Sequence, residues 1–177
     1  SSAASDLYMR QALGVQPGDR LGIWAPNCAE WCITQFASAK VGAILVNINP
    51  AYRSSELDYA LGQSGCRWVI CADAFKTSDY HATLQGLLPG LANGQPGALI
   101  CERFPELRGV VSLALSPPPG FLAWHALQAR AEAVSGEALA ARQAQLRCDD
   151  PINIQYTSGT TGFPKGATLS HLSLIHI

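Results

Sequence analysis

The chain has 177 residues, 48% of them hydrophobic and 14% charged, with a net charge of −1. That is one ordinary domain, able to bury roughly 70% of its unfolded surface, and its near-neutral charge argues against a nucleic-acid partner or a polybasic membrane patch. The longest apolar stretch is broken by Glu30, Gln35, Lys40 and Asn47, so no transmembrane segment is expected.

The sequence opens on Ser1 with no apolar leader behind it, which leaves the compartment open. Residues 6–14 read as a helix, with Leu7, Arg10 and Leu13 along it and Gly14 as its stop. Pro17-Gly18-Asp19 marks a turn, and residues 20–24 a buried strand. The spacing predicts a helix over residues 29–41, with Trp31, Ile33, Phe36, Ala37 and Val41 as its apolar stripe. Residues 43–46 form a second strand. Ser54 or Ser55 caps a helix through residue 61, with Asp58 near its start, and residues 67–71 make a third strand. Strands alternating with helices predict an α/β fold with a parallel sheet and crossover helices. Trp24, Trp31, Phe36 and Trp68 are expected in the core, with Tyr52 as an anchor between loop and helix.

Gly and Pro punctuate residues 86–98, residues 109–113 read as another strand, and Pro117-Pro118-Pro119-Gly120 rounds a surface corner. Residues 124–146 are Ala-rich and helical, broken near Ser135-Gly136. Six cysteines are scattered through the chain. Cys28 and Cys32 lie four apart, but no Cys-x-x-Cys or nearby His pair supports zinc, so all six are expected reduced and structural. Asp149 and Asp150 read as a solvated turn before Pro151; His81 and His125 carry no motif.

The chemistry concentrates near the end. Residues 151–156 alternate as a strand and residues 167–170 make a short second one. Between them lie Thr157, Ser158, Gly159, Thr160, Thr161, Gly162, Phe163, Pro164, Lys165 and Gly166. Glycines permit positive φ and a close ligand approach. Successive amides in such turns form an anion-binding nest, to which the hydroxyls and the Lys165 ammonium add donors and charge. Pro164 stiffens the approach to the lysine. A polyphosphate is the implied ligand. The loop is not a Walker A motif, which needs Gly before its Lys and Ser or Thr after it. No Gly-x-Ser-x-Gly elbow or Gly-x-Gly-x-x-Gly fingerprint occurs either.

The string from Thr157 to Gly166 resembles the phosphate-loop signature of adenylate-forming enzymes, the AMP-binding superfamily of acyl-CoA synthetases, luciferases and peptide-synthetase adenylation domains. Four further stretches are similar to medium-chain acyl-CoA ligases. They are Asp150-Pro151-Ile152-Asn153-Ile154-Gln155, Gly166-Ala167-Thr168-Leu169-Ser170-His171, Asn49-Pro50-Ala51-Tyr52 with Glu56-Leu57, and Gln95-Pro96-Gly97-Ala98-Leu99.

The resemblance implies that residues 1–177 are an incomplete N-terminal AMP-binding domain. Such a domain is the first part of the large α/β domain, ending in a strand–phosphate loop–strand unit. It implies a nucleotide site formed by Thr157, Ser158, Gly159, Thr160, Thr161, Gly162, Phe163, Pro164 and Lys165, with Lys165 catalytic and no metal ligand assigned. The substrates implied are a small carboxylic acid, ATP with Mg2+, and coenzyme A; a mitochondrial location follows by analogy. His171 is expected either near the acyl pocket or capping the next element. Residues 172–177 depart from the family pattern and read as a cloning or assembly artefact. Alone, these 177 residues are expected to be inactive, since the adenine, ribose and coenzyme A segments of the family come later. The alternatives are a truncated, non-catalytic nucleotide-binding isoform and another adenylating enzyme, such as an aryl-CoA ligase.

Overall fold

Apolar runs punctuated by Gly and Pro become strands of one sheet, and the amphipathic stretches between them become its crossovers. A computed structural model describes residues 13–131, 136–157 and 164–175. The elements begin β1 (Arg20–Trp24), α1 (Ala29–Val41), β2 (Ile44–Asn47), α2 (Ser54–Ser64) and β3 (Trp68–Cys71). A small hairpin, β4 (Ala74–Phe75) and β5 (Ser78–Asp79), leads into α3 (Tyr80–Leu87). Then come β6 (Gly109–Ser112), β7 (Leu122–Ala123), α4 (Trp124–Ala131), α5 (Gly136–Gln143), β8 (Pro151–Thr157), β9 (Lys165–Ser170) and α6 (His171–Ile175). The expected helix over residues 6–14 lies outside the described residues up to residue 12; Gly14 has the left-handed φ of 61° that ends a helix.

Seven strands form the sheet in the order β7-β6-β3-β1-β2-β8-β9. Every neighbouring pair is parallel except β8 and β9. The fold is therefore the α/β architecture expected, with a mostly parallel sheet and crossover helices. The chain steps from β1 to β2 on one side, then returns past β1 to place β3 on the other. Crossovers of this kind are right-handed, so α1 and α2 cover opposite faces. Strands buried on both faces read as unbroken apolar runs, and β3 and β6 are buried at every position.

Three details of the sequence reading are corrected. The buried face of α1 is Thr34, Ala37, Ser38 and Val41, while Phe36 is 67% exposed. Small residues let the helix sit close to the sheet. Thr34 Oγ1 donates to the Glu30 carbonyl at 2.7 Å and Ser38 Oγ to Gln35 at 3.1 Å, so neither hydroxyl is stranded by burial. Trp24 and Trp68 are core residues as expected, and Trp31 packs on the core partly buried. The cap of α2 is Arg53 rather than Ser54 or Ser55; the Glu56 carboxylate reaches back to accept from the Arg53 N–H at 2.9 Å. All six cysteines are free, but only Cys66 and Cys71 are buried; Cys32 and Cys148 are exposed. Burial raises the Cys66 thiol to about 11 and the Cys71 thiol further still, which keeps both protonated and inert.

The hairpin β4–β5, helix α3 and strand β7 are additions to the sequence reading. In α3, Asp79 is the cap, its carboxylate accepting from the Ala82 N–H at 2.9 Å. The Ala-rich stretch divides into α4 and α5, and residues 132–135 between them lie outside the described residues.

Candidate functional site

In an open parallel sheet, ligands bind outside the carboxyl ends of the strands. Trp24, Asn47, Cys71, Ser112 and Thr157 end β1, β2, β3, β6 and β8 along that edge. Two places on it differ sharply.

The first lies between β1 and β3, where the crossovers leave in opposite directions. Trp24 and Cys71 pair there at the strand ends. Trp24 stacks on Tyr80 with ring centroids 3.6 Å apart and planes 12° from parallel, and both rings are fully buried. Each aromatic also pins the following loop: Trp24 Nε1 donates to the Asn49 carbonyl at 3.2 Å, and the Tyr80 hydroxyl to the Pro50 carbonyl at 2.6 Å. Asn49 Oδ1 accepts from the Ala51 N–H at 2.9 Å and the Asn49 carbonyl from the Tyr52 N–H at 3.0 Å. The stretch Asn49-Pro50-Ala51-Tyr52 is thus a pinned turn, and Tyr52 packs against the core as the expected anchor.

The second place is the end of β8. Strand β9 runs antiparallel to it in the register Gln155↔Ala167, Tyr156↔Gly166 and Thr157↔Lys165. Thr157 and Lys165 are therefore directly opposed and close the base of the loop, with Thr157 Oγ1 donating to the Lys165 carbonyl at 3.4 Å. Both residues are exposed and Pro164 is half-buried. Of the nine nucleotide-site residues expected from sequence, the structure places Thr157, Pro164 and Lys165 together at this rim. Ser158, Gly159, Thr160, Thr161, Gly162 and Phe163 lie outside the described residues.

Alternation along β8 aims successive side chains at opposite faces. Toward α1, Asn153 is buried and joins an amide chain: its Nδ2 donates to Gln35 Oε1 at 3.1 Å and its Oδ1 accepts from Asn47 Nδ2 at 3.4 Å. A cavity of about 280 Å³ on this face is lined by Gln35, Phe36, Ala39, Ile152, Asn153, Gln155 and His171. His171 thus faces this groove at the start of α6, away from the Thr157/Lys165 pair. Toward α2, the Tyr156 hydroxyl donates to the Ala60 carbonyl at 3.1 Å. Burial pushes the Tyr156 phenol up to about 12, the Cys66 thiol adding to the rise and the Ser64 hydroxyl opposing it. These tying residues lay in the sequence as ordinary strand positions; Tyr156 stood at the edge of the motif without a role of its own.

Among the described residues, no group of three His, Cys, Asp or Glu could hold a metal. No helix among them is long and apolar enough to cross a membrane. Asp149 and Asp150 form the surface turn expected, their carboxylates accepting from the Arg147 side chain at 3.1 Å and the Arg147 N–H at 2.8 Å.

Comparison with known proteins shows the family and the fold. The family model for the AMP-binding enzyme matches residues 7–177. The mitochondrial medium-chain acyl-CoA ligase ACSF2 of Rattus norvegicus is 44% identical over 98% of the chain and 28% of its own length. That of Homo sapiens is 43% identical over the same shares. The chain therefore spans 28% of the length of these relatives. Among solved structures, acetoacetyl-CoA synthetase from Streptomyces lividans superposes with a TM-score of 0.72 at 25% identity, covering 96% of this chain and 24% of that one. The anthranilate CoA ligase AuaEII, in complex with anthranoyl-AMP, superposes with a TM-score of 0.72 at 24% identity, covering 96% and 28%, and shows the shared fold.

Proposed function

Because the chain belongs to the AMP-binding enzyme family, we propose that it is the N-terminal part of the AMP-binding domain of an ATP-dependent acyl-CoA synthetase. The observation that carries this reading is the opposed Thr157/Lys165 pair at the C-terminal edge of the sheet, closing a loop of the family's phosphate-binding sequence. Medium-chain fatty acids are the proposed substrates and the mitochondrion the proposed location, both by likeness to the ACSF2 ligases.

The reaction has two halves. A carboxylate oxygen attacks the α-phosphorus of ATP and pyrophosphate leaves, giving acyl-AMP. The thiol of coenzyme A then attacks the acyl carbon and AMP leaves. In the first half negative charge builds on the β- and γ-phosphates, so donors fixed there lower the barrier. That work is assigned to the amides and hydroxyls of Thr157, Ser158, Gly159, Thr160 and Thr161, with the Lys165 ammonium as electrostatic partner. Gly162, Phe163 and Pro164 are assigned to the same nucleotide grip. Mg2+ would come with ATP as Mg·ATP and would supply charge neutralisation to the phosphates, with no residue of this chain assigned to it. The matched relatives extend well beyond the 28% of their length that this chain spans. Residues 1–177 alone are proposed to be inactive, since the resemblance places the adenine, ribose and coenzyme A segments later.

The test is acid-dependent exchange of pyrophosphate into ATP by the complete protein carrying Lys165→Ala. Loss of one preorganised charge-stabilising group is expected to slow exchange roughly 100-fold while the fold is retained. Wild-type exchange in that variant removes Lys165 from the site. Running the assay with acids of increasing chain length and with aryl acids decides the substrate class.

A further inference from the structure

We infer that Tyr156 is a positioning residue, tying the base of the phosphate loop to α2 so that Thr157 and Lys165 are presented at a fixed place. The inference rests on the proposed reading of residues 157–165 as the grip on the phosphates of ATP.

The need for such a tie follows from the pairing. Strand β2 supports β8 only as far as Asn47↔Gln155. Tyr156 and Thr157 run past the last β2 residue, and their partner on the other side is β9, which is exposed from Lys165 through Thr168. The two-stranded overhang that carries the loop therefore lacks sheet support on the β2 side. An isolated strand pair of this kind is only marginally stable in water.

Tyr156 supplies what β2 does not. Its side chain lies on the α2 face, half-buried, and its hydroxyl reaches the carbonyl of fully buried Ala60 at 3.1 Å. The same carbonyl accepts from Ser64 Oγ at 2.6 Å. The end of α2 is in turn fixed to β1: Arg20 Nε donates to the Ser64 carbonyl at 2.9 Å and Arg20 Nη2 to the Gly65 carbonyl at 3.1 Å. A continuous line of hydrogen bonds thus runs from β1 through Arg20 and α2 to the end of β8.

The ring also secures the opposite strand. Gly166 pairs directly with Tyr156. A Cβ on Gly166 would lie 3.5 Å from Tyr156 Cε1 and 3.0 Å from Ile154 Cγ2. The missing side chain lets the phenol ring lie against Gly166 of β9. One residue therefore holds the end of β8 to α2 by its hydroxyl and meets β9 by its ring.

The test uses the complete protein with Tyr156→Phe, which keeps the ring, and Tyr156→Ala, which removes both contacts. Amide hydrogen exchange is followed at residues 156, 157, 165 and 166, with β1 as control, and KM is measured separately for Mg·ATP and for the acid. For Tyr156→Phe, loss of one hydrogen bond is expected to speed exchange at the loop base roughly fivefold and to raise KM for Mg·ATP by a similar factor. Exchange in β1 and KM for the acid should stay unchanged, and Tyr156→Ala should move both affected quantities further. Unchanged exchange at the loop base in both variants overturns the inference. So does faster exchange spread equally over β1 together with a rise in both KM values, which is general destabilisation. Faster exchange confined to the loop base, in a protein whose wild type shows no acid-dependent exchange of pyrophosphate into ATP, upholds the tie and instead discards the proposed activity.

Discussion

Two places on one sheet edge have been treated in opposite ways. Between β1 and β3, where a doubly wound sheet ordinarily opens a ligand crevice, Trp24 and Tyr80 stack with no exposure at all. At the end of β8, two strands away from β1, the rim carries exposed Thr157 and Lys165 and an antiparallel return. The topology alone favours the first place, but its packing is closed. The difference teaches that a fold rule locates the edge while side-chain volume decides which part of it remains open. It also separates buried packing from an exposed rim: the aromatic stack belongs to the core, whereas at the loop base Tyr156 packs partly buried against it.

The sharpest way to break this comparison is to empty the closed place. Trp24→Ala or Tyr80→Ala removes a fully buried ring and its hydrogen bond to the Asn49 or Pro50 carbonyl, at an expected cost of about 3–5 kcal/mol. Lys165→Ala, on an exposed side chain, should change stability by no more than about 0.5 kcal/mol. Thermal denaturation of the three variants of the complete protein measures the contrast. Equal losses at both places would mean that the loop base is as much part of the core as the aromatic stack.

The open place was legible in the sequence because a Gly, Thr and Lys string marks it; the closed one was not. Trp24 announced itself as a buried strand end, but its partner Tyr80 lies 56 residues on, behind a hairpin whose strands are two residues long. No Gly or Asn marked that turn; Lys76 takes the left-handed conformation, φ 54°, in their place. The parallel sheet was readable from apolar runs, and Arg20–Trp24 and Ala29–Val41 fell where Pro and Gly bounded them. Strand order was not, since it depends on contacts across the chain rather than on local pattern. Phe36 misled for a related reason: periodicity counts apolarity, and α1 buries two hydroxyl residues on its inner face instead.

A smaller effect tests the support under the open place. Asn153→Ala removes the middle of the amide chain, leaving Gln35 Oε1 and Asn47 Nδ2 without their partner. Asn47 Oδ1 is already buried without one. Stranding further polar groups is expected to cost about 1–3 kcal/mol. A neutral result in a denaturant titration would show that solvent reaches this face through the adjoining groove.

Smaller again is Gly166→Ala. The added Cβ would sit 3.0 Å from Ile154 Cγ2, so that side chain must give by a few tenths of an ångström. A destabilisation of about 1 kcal/mol is expected, accompanied by faster amide exchange at residues 165 and 166. Undisturbed exchange there would mean that the Tyr156 ring shifts without consequence, which weakens the case for its grip on β9.

The smallest effect is a pH dependence confined to the closed side. His81 Nε2 lies 2.8 Å from Ser112 Oγ at the end of β6, and its ring meets Phe121 edge-on with centroids 4.8 Å apart. Burial lowers its pKa below the ordinary value of 6.5, while the carboxylates of Asp79 and Asp73 oppose the shift. The sign follows from which state takes the proton first. As pH falls through 6.5 the unfolded chain protonates His81 while the folded one resists, so stability present above 6.5 is lost toward acid. Melting temperatures of the complete protein and its His81→Gln variant, compared between about pH 5 and about pH 8, should converge toward the acid end. A difference independent of pH would show that His81 packs without titrating against the fold. Convergence would set the aromatic side of the edge apart by its response to protons, as the loop side is proposed to be set apart by its response to Mg·ATP.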